Sequence, residues 1–80
     1  MHALAQAARR GVDEAALTRI AERPEQVVPV RPGREVRQSR IQNPEGTSYL
    51  VRVFVDIVAG EETVVTVYKT SKIAKYWRES

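Results

Sequence analysis

The sequence predicts an α+β domain, with N-terminal helices packed on a four-stranded antiparallel sheet and a short C-terminal helix. Three observations carry this expectation. Residues 3–22 are rich in alanine and place apolar residues at helical spacing. Residues 26–70 alternate β-branched stretches with turn residues. The connections between those stretches are too short for parallel crossovers. Eighty residues form a single domain over 1–80, and helices are expected on one face of the sheet.

Each element has a local reason. Ala3, Leu4, Ala7 and Ala8 can share a face of a first helix over 3–10, which Gly11 breaks. Asp13 suits the N-cap of a second helix through about Glu22, with Glu14 early enough to meet the helix dipole. Ala16, Leu17, Ile20 and Ala21 form its apolar stripe, and Pro24 ends it by restricting Arg23. Gln26 to Val30 reads as a strand, placed at an edge by Pro29. Pro32-Gly33 turns the chain into a polar strand over Arg34 to Ile41. Asn43, Pro44, Glu45 and Gly46 make the next turn. Ser48 to Val58 is the densest β-branched run. Gly60-Glu61-Glu62 turns it into a partner strand over Thr63 to Thr70. Ser71 is the expected cap of a tail helix through Arg78, with Ile73, Tyr76 and Trp77 on one face as core anchors.

Alternation then sorts the sheet into two faces. Tyr49, Val51, Val53, Val55 and Ile57 point one way and should pack on the helices. Leu50, Arg52, Phe54 and Asp56 point the other way. In the second strand, Arg34, Val36, Gln38 and Arg40 oppose Glu35, Arg37, Ser39 and Ile41. In the fourth, Val65, Val67 and Lys69 oppose Val64, Thr66, Tyr68 and Thr70. One face is thus apolar, and the other offers arginines with occasional aromatics. Guanidinium groups bind phosphate as a fork and aromatics stack on bases, which suits nucleic acid. The competing reading is an ordinary exposed face of an antiparallel sheet.

Composition narrows the chemistry. There is no cysteine, which excludes disulfides, a thiol nucleophile and cysteine-ligated metals. The one histidine, His2, excludes a two-histidine metal site within a chain, and no carboxylate pair has ligand spacing. No cofactor is expected. No apolar run approaches ~18 residues, so no membrane span is expected, and the setting is expected to be cytoplasmic. The net charge is +3, and the surplus lies in residues 31–80, with nine basic and six acidic side chains. That asymmetry suits a polyanion such as RNA.

The tail concentrates the cations. Tyr68-Lys69-Thr70-Ser71-Lys72 leads to Lys75, Tyr76 and Arg78, with no acid until Glu79. Lys72 and Lys75 share a side of a helix. Lysines, hydroxyls and free amides at a helix start together suit a phosphodiester. His2 is the side chain whose ordinary pKa lies nearest neutrality.

Tyr49-Leu50-Val51-Arg52-Val53, Val64 through Ile73 and Lys75-Tyr76-Trp77 resemble a small bacterial family, domain of unknown function 4258. His2, Arg10, Gly11 and Val12 stand where that family has a histidine and an Arg-Gly-Ile; Pro24 to Val27 and Gly33-Arg34 resemble its middle. The family is similar to RelE/ParE-like and BrnT-like bacterial toxins, with a fold shared by barnase-like, EndoU-like, colicin-like and RelE-like ribonucleases.

The resemblance implies a toxin, from a toxin–antitoxin locus or the C-terminal module of a polymorphic toxin, acting as a metal-independent endoribonuclease. It implies His2 as general acid or base, with Lys69, Thr70 and Lys72 at the scissile phosphate. Arg10 and Arg52 are implied phosphate ligands, and Tyr68 and Lys75 join the substrate-binding set. The family's arginine four residues after the histidine is Gln6 here. The implied partners are an RNA substrate and an acidic or apolar antitoxin or immunity protein. Arg34, Arg37, Arg40, Lys72 and Lys75 are the contacts expected for that protein. Alternatives are a toxin that inhibits a cellular protein such as gyrase, or an inactive nucleic-acid-binding module.

Overall fold

A computed structural model describes residues 12–79. Its element order is helix α1 (Glu14–Glu22), strands β1 (Gln26–Arg31), β2 (Arg34–Gln42), β3 (Ser48–Val58) and β4 (Glu61–Thr70), and the short helix α2 (Ile73–Tyr76). The strands form one antiparallel sheet in the order β1-β2-β3-β4. This is the expected α+β fold. The expected helix over 3–10 lies outside the described residues.

α1 starts as its sequence dictates. The Asp13 Oδ1 accepts the Ala16 N–H at 2.7 Å, satisfying a donor that the first turn leaves unpaired. Ala16, Leu17 and Ile20 are buried, and they pack with Val12, Val51, Val53, Val55 and Val67 into the main core. β1 is an edge strand, which is where Pro29, lacking an N–H, does no harm to the ladder.

The second face of the sheet is not simply open. Val36 and Leu50 are fully buried on it, and Val28 nearly so. The C-terminal segment crosses this face. Gln38 Nε2 donates to the Tyr76 carbonyl, and the Gln26 side chain holds the Arg78 backbone through both N–H and C=O. The helices therefore lie on opposite faces, and the expectation of one helical face is corrected. The cause is a second apolar set, Val28, Val36, Leu50 and Phe54, that needs its own cover.

Four local expectations also change. Val64, not Val65, joins the core side, because the ladder slips between Phe54 and Val55 and leaves Val65 as the extra residue of a β-bulge. The β3–β4 turn is the two residues Ala59 and Gly60, both with positive φ, so Glu61 and Glu62 belong to β4. Positive φ at both central residues matches the right-handed twist of a hairpin. α2 spans four residues and has no side-chain cap from Ser71. Thr70 Oγ1 instead accepts the Lys72 N–H at 3.1 Å, the local turn that a threonine can close two residues on. Ile73, Tyr76 and Trp77 are half-buried rather than core residues.

Candidate nucleic-acid interface

Four arginines rise from β2 and β3, and carboxylates take three of them. Arg34 forms a two-bond pair with Asp56, its direct partner across the ladder. Arg37 lies on the α1 side, bound to Glu35 at 2.7 Å, to Glu62 at 2.6 Å and to the Ala21 carbonyl at 2.8 Å. Those bonds raise its guanidinium above the ordinary range. Arg40 chelates Glu25 and stacks on Trp77, with its guanidinium carbon 4.1 Å from the ring centroid. Glu25, Asp56 and Glu62 are correspondingly held below the usual carboxylate range by their arginines.

Arg52 differs. Among the described residues it has no carboxylate partner. Its Nε donates to the amide oxygen of Gln38 at 3.0 Å. Its guanidinium carbon lies 4.3 Å from the Tyr76 ring centroid and 5.4 Å from that of Phe54, where ring quadrupoles attract a cation. Burial pulls its guanidinium below the ordinary value, partly offset by the two neighbouring phenols. It stays cationic at neutral pH, as arginine does in proteins.

Around this cation lies a shallow, open hollow lined by Arg52, Phe54, Thr66, Tyr68 and Tyr76. Tyr68 and Tyr76 meet edge to face with centroids 5.9 Å apart. The Tyr68 hydroxyl, then Lys75 and Arg52, hold the Tyr76 phenol below its ordinary value. The Lys75 Nζ is 5.4 Å from the Tyr76 ring centroid. Rings and unneutralised cations on one surface are what a flexible polyanion with exposed bases needs.

The sequence-derived site residues divide between the two faces. Arg52, Tyr68 and Lys75 come together through Tyr76. Lys69 does not join them: it faces the α1 side, its Nζ 4.5 Å from the Tyr49 ring centroid. Thr70 is buried on the Arg52 side, its hydroxyl engaged by the Lys72 N–H. Lys72 is exposed at the start of α2. His2 and Arg10 lie outside the described residues. Gln38 and Gln26 are site neighbours that sequence reasoning missed. Alternation places Phe54 beside Arg52, but the register that sets Gln38 opposite it depends on the β2–β3 turn. The partner surface expected over Arg34, Arg37 and Arg40 is also divided, because Arg37 faces α1 and all three already hold acids.

Among the described residues no helix is long and apolar enough to cross a membrane. Neither protein-family models, nor curated proteins, nor solved structures provide a match to this chain.

Proposed function

We propose that this chain is a bacterial toxin that cleaves RNA without a metal, binding its substrate on the Arg52 face of the sheet. The observation that carries the reading is the half-buried Arg52 charge, unneutralised among the described residues and flanked by Phe54, Tyr68, Tyr76 and Lys75. The likeness of the β3 and tail motifs to toxin-like sequences supports the same direction. Glu25 and Asp56 are engaged by Arg40 and Arg34, and Glu35 and Glu62 are both engaged by Arg37.

In the proposed reaction the ribose 2′-oxygen attacks the adjacent phosphorus. The bond from phosphorus to the 5′-oxygen breaks, leaving a cyclic phosphate and a free 5′-hydroxyl. One proton leaves the 2′-hydroxyl and one reaches the departing oxygen. His2 is the proposed proton carrier. Arg52 offsets the charge that builds on the phosphoryl oxygens. The phosphate role implied for Lys69 passes to Arg52, because the two side chains stand on opposite faces. Lys72 and Lys75 remain as exposed contacts for RNA or for an acidic antitoxin.

RNA binding without cleavage is the second reading. It is favoured by the described lining of the hollow, which carries neither a histidine nor a carboxylate. Induced expression of the wild type beside His2→Ala and Arg52→Ala separates the readings. Growth arrest with RNA fragmentation, lost in both variants, is expected. Arrest with intact RNA would point to a protein target such as gyrase. Normal growth would remove the toxin assignment.

A further inference from the structure

Gln38 and Arg52 are direct partners across the β2–β3 ladder, just as Arg34 and Asp56 are at the other end of the same pairing. At one position an arginine meets a carboxylate. At the other it meets a neutral amide. The orientation of that amide is dictated by its surroundings. Its Nε2 donates to Gln26 Oε1 at 2.8 Å and to the Tyr76 carbonyl at 3.2 Å, so Oε1 is left to accept from Arg52 Nε at 3.0 Å. Gln38 is fully buried, so water does not compete for these bonds. The guanidinium is planar, and fixing Nε while Tyr76 covers one face fixes the direction of its terminal nitrogens.

We infer that Gln38 is a positioning residue for the anion site: its neutral amide aims the Arg52 guanidinium through Nε, leaving the charge and terminal N–H groups for a phosphate of single-stranded RNA. This rests on the proposed RNA reading of the same face. Single strands fit because the rings of Phe54, Tyr68 and Tyr76 can stack only on bases that are not already paired and stacked. A glutamate at position 38 would reproduce the Arg34–Asp56 pair and neutralise the site. It would also lose the donors that hold Gln26 and the Tyr76 carbonyl.

The test titrates the full chain with a fluorescent 2′-O-methyl RNA of about 12 nucleotides at several salt concentrations; this RNA lacks the attacking hydroxyl. Arg52→Ala sets the reference, with Kd expected to weaken about tenfold and the salt slope to fall by about one. Gln38→Glu is expected to match it in both, and the double variant to lose no more. Gln38→Met keeps the charge but not the aim, so Kd is expected to weaken about threefold with the salt slope retained. A folded Gln38→Glu or Gln38→Met that binds like wild type, while Arg52→Ala is impaired, overturns the role of Gln38 alone. Arg52→Ala binding like wild type overturns the RNA reading of the face. Should neither Gln38 variant fold, the wild type decides by nuclear magnetic resonance. Its Arg52 Nε–H is expected to exchange slowly with solvent, and its terminal guanidinium signals to move when RNA is added. A rapidly exchanging Nε–H overturns the inference.

Discussion

Arg52, in the middle of β3, and Tyr76, the last residue of α2, meet with the guanidinium carbon 4.3 Å from the ring centroid. The contact joins the sheet to the C-terminal segment and forms one wall of the hollow. The same ring meets Tyr68 edge to face with centroids 5.9 Å apart, so the electrostatics of the site and the packing of the tail depend on the same side chains.

Tyr68→Phe is expected to raise the titration of the Tyr76 phenol toward the ordinary tyrosine range, because the Tyr68 hydroxyl is the largest cause of its lowering. Ultraviolet titration of the wild type and the variant checks this. The folded-state value lies below the unfolded one, so this phenol adds stability above the ordinary tyrosine range. That stability is lost as pH falls through the folded value. At neutral pH the variant should therefore move the titration without changing stability by this route. A Tyr76 titration unmoved by Tyr68→Phe would contradict the influence of the Tyr68 hydroxyl on this phenol.

Acid should loosen the fold through three carboxylates. Glu25, Asp56 and Glu62 are all held below their ordinary values by arginines. Their stabilisation is present above the unfolded carboxylate range and is lost as pH falls through the lowered folded values. Thermal midpoints recorded from neutral pH downward should drop below about pH 4. Glu25→Gln should flatten that drop, and an equally steep profile would show that the Glu25–Arg40 pair is too exposed to contribute.

Leu50→Ala tests whether the second face has a packed interior of its own. Leu50 is fully buried away from α1, and the expected loss is about 2–4 kcal/mol in urea unfolding. Val58→Ala, at an exposed position of the same strand, should stay within about 0.5 kcal/mol. Equal, small effects would mean that the C-terminal segment does not cover the sheet.

Ala59 carries a φ of 52° in the β3–β4 turn, a left-handed conformation that its Cβ disfavours. Ala59→Asn should stabilise the chain by about 0.5–1 kcal/mol, since asparagine tolerates that region and suits the hairpin turn. A raised thermal midpoint is the expected observation; a lowered one would mean that the turn is not of this type.

Much of this architecture was legible because its signals are local. Asp13 announces α1 through a side chain that reaches its own first turn. Ser48 to Val58 is bounded on both sides by turn residues, and its alternation assigns Arg52 and Phe54 to one face. The bulge at Val65 was not legible, because one extra residue in a uniformly β-branched strand leaves no mark on composition. Tyr76 looked like a core anchor for the same reason that Trp77 did: an aromatic near a chain end has many possible partners, and only tertiary packing selects Arg52. The neutral pairing of Gln38 with Arg52 depends on register, which in turn depends on the exact turn between Asn43 and Thr47. The second apolar surface of Val28, Val36 and Leu50 was not legible, because these residues are spread over three strands and converge only once those strands pair.

RNA cleavage centred on the Arg52 face is the proposed activity. Its most direct test incubates the purified full chain with a single-stranded RNA in a metal chelator, beside Arg52→Ala, and analyses the ends of any products. Cleavage to fragments with cyclic phosphate and free 5′-hydroxyl ends, lost in Arg52→Ala while the variant stays folded, is the expected result. Cleavage that persists undiminished in a folded Arg52→Ala, or that yields 5′-phosphate ends, would contradict it.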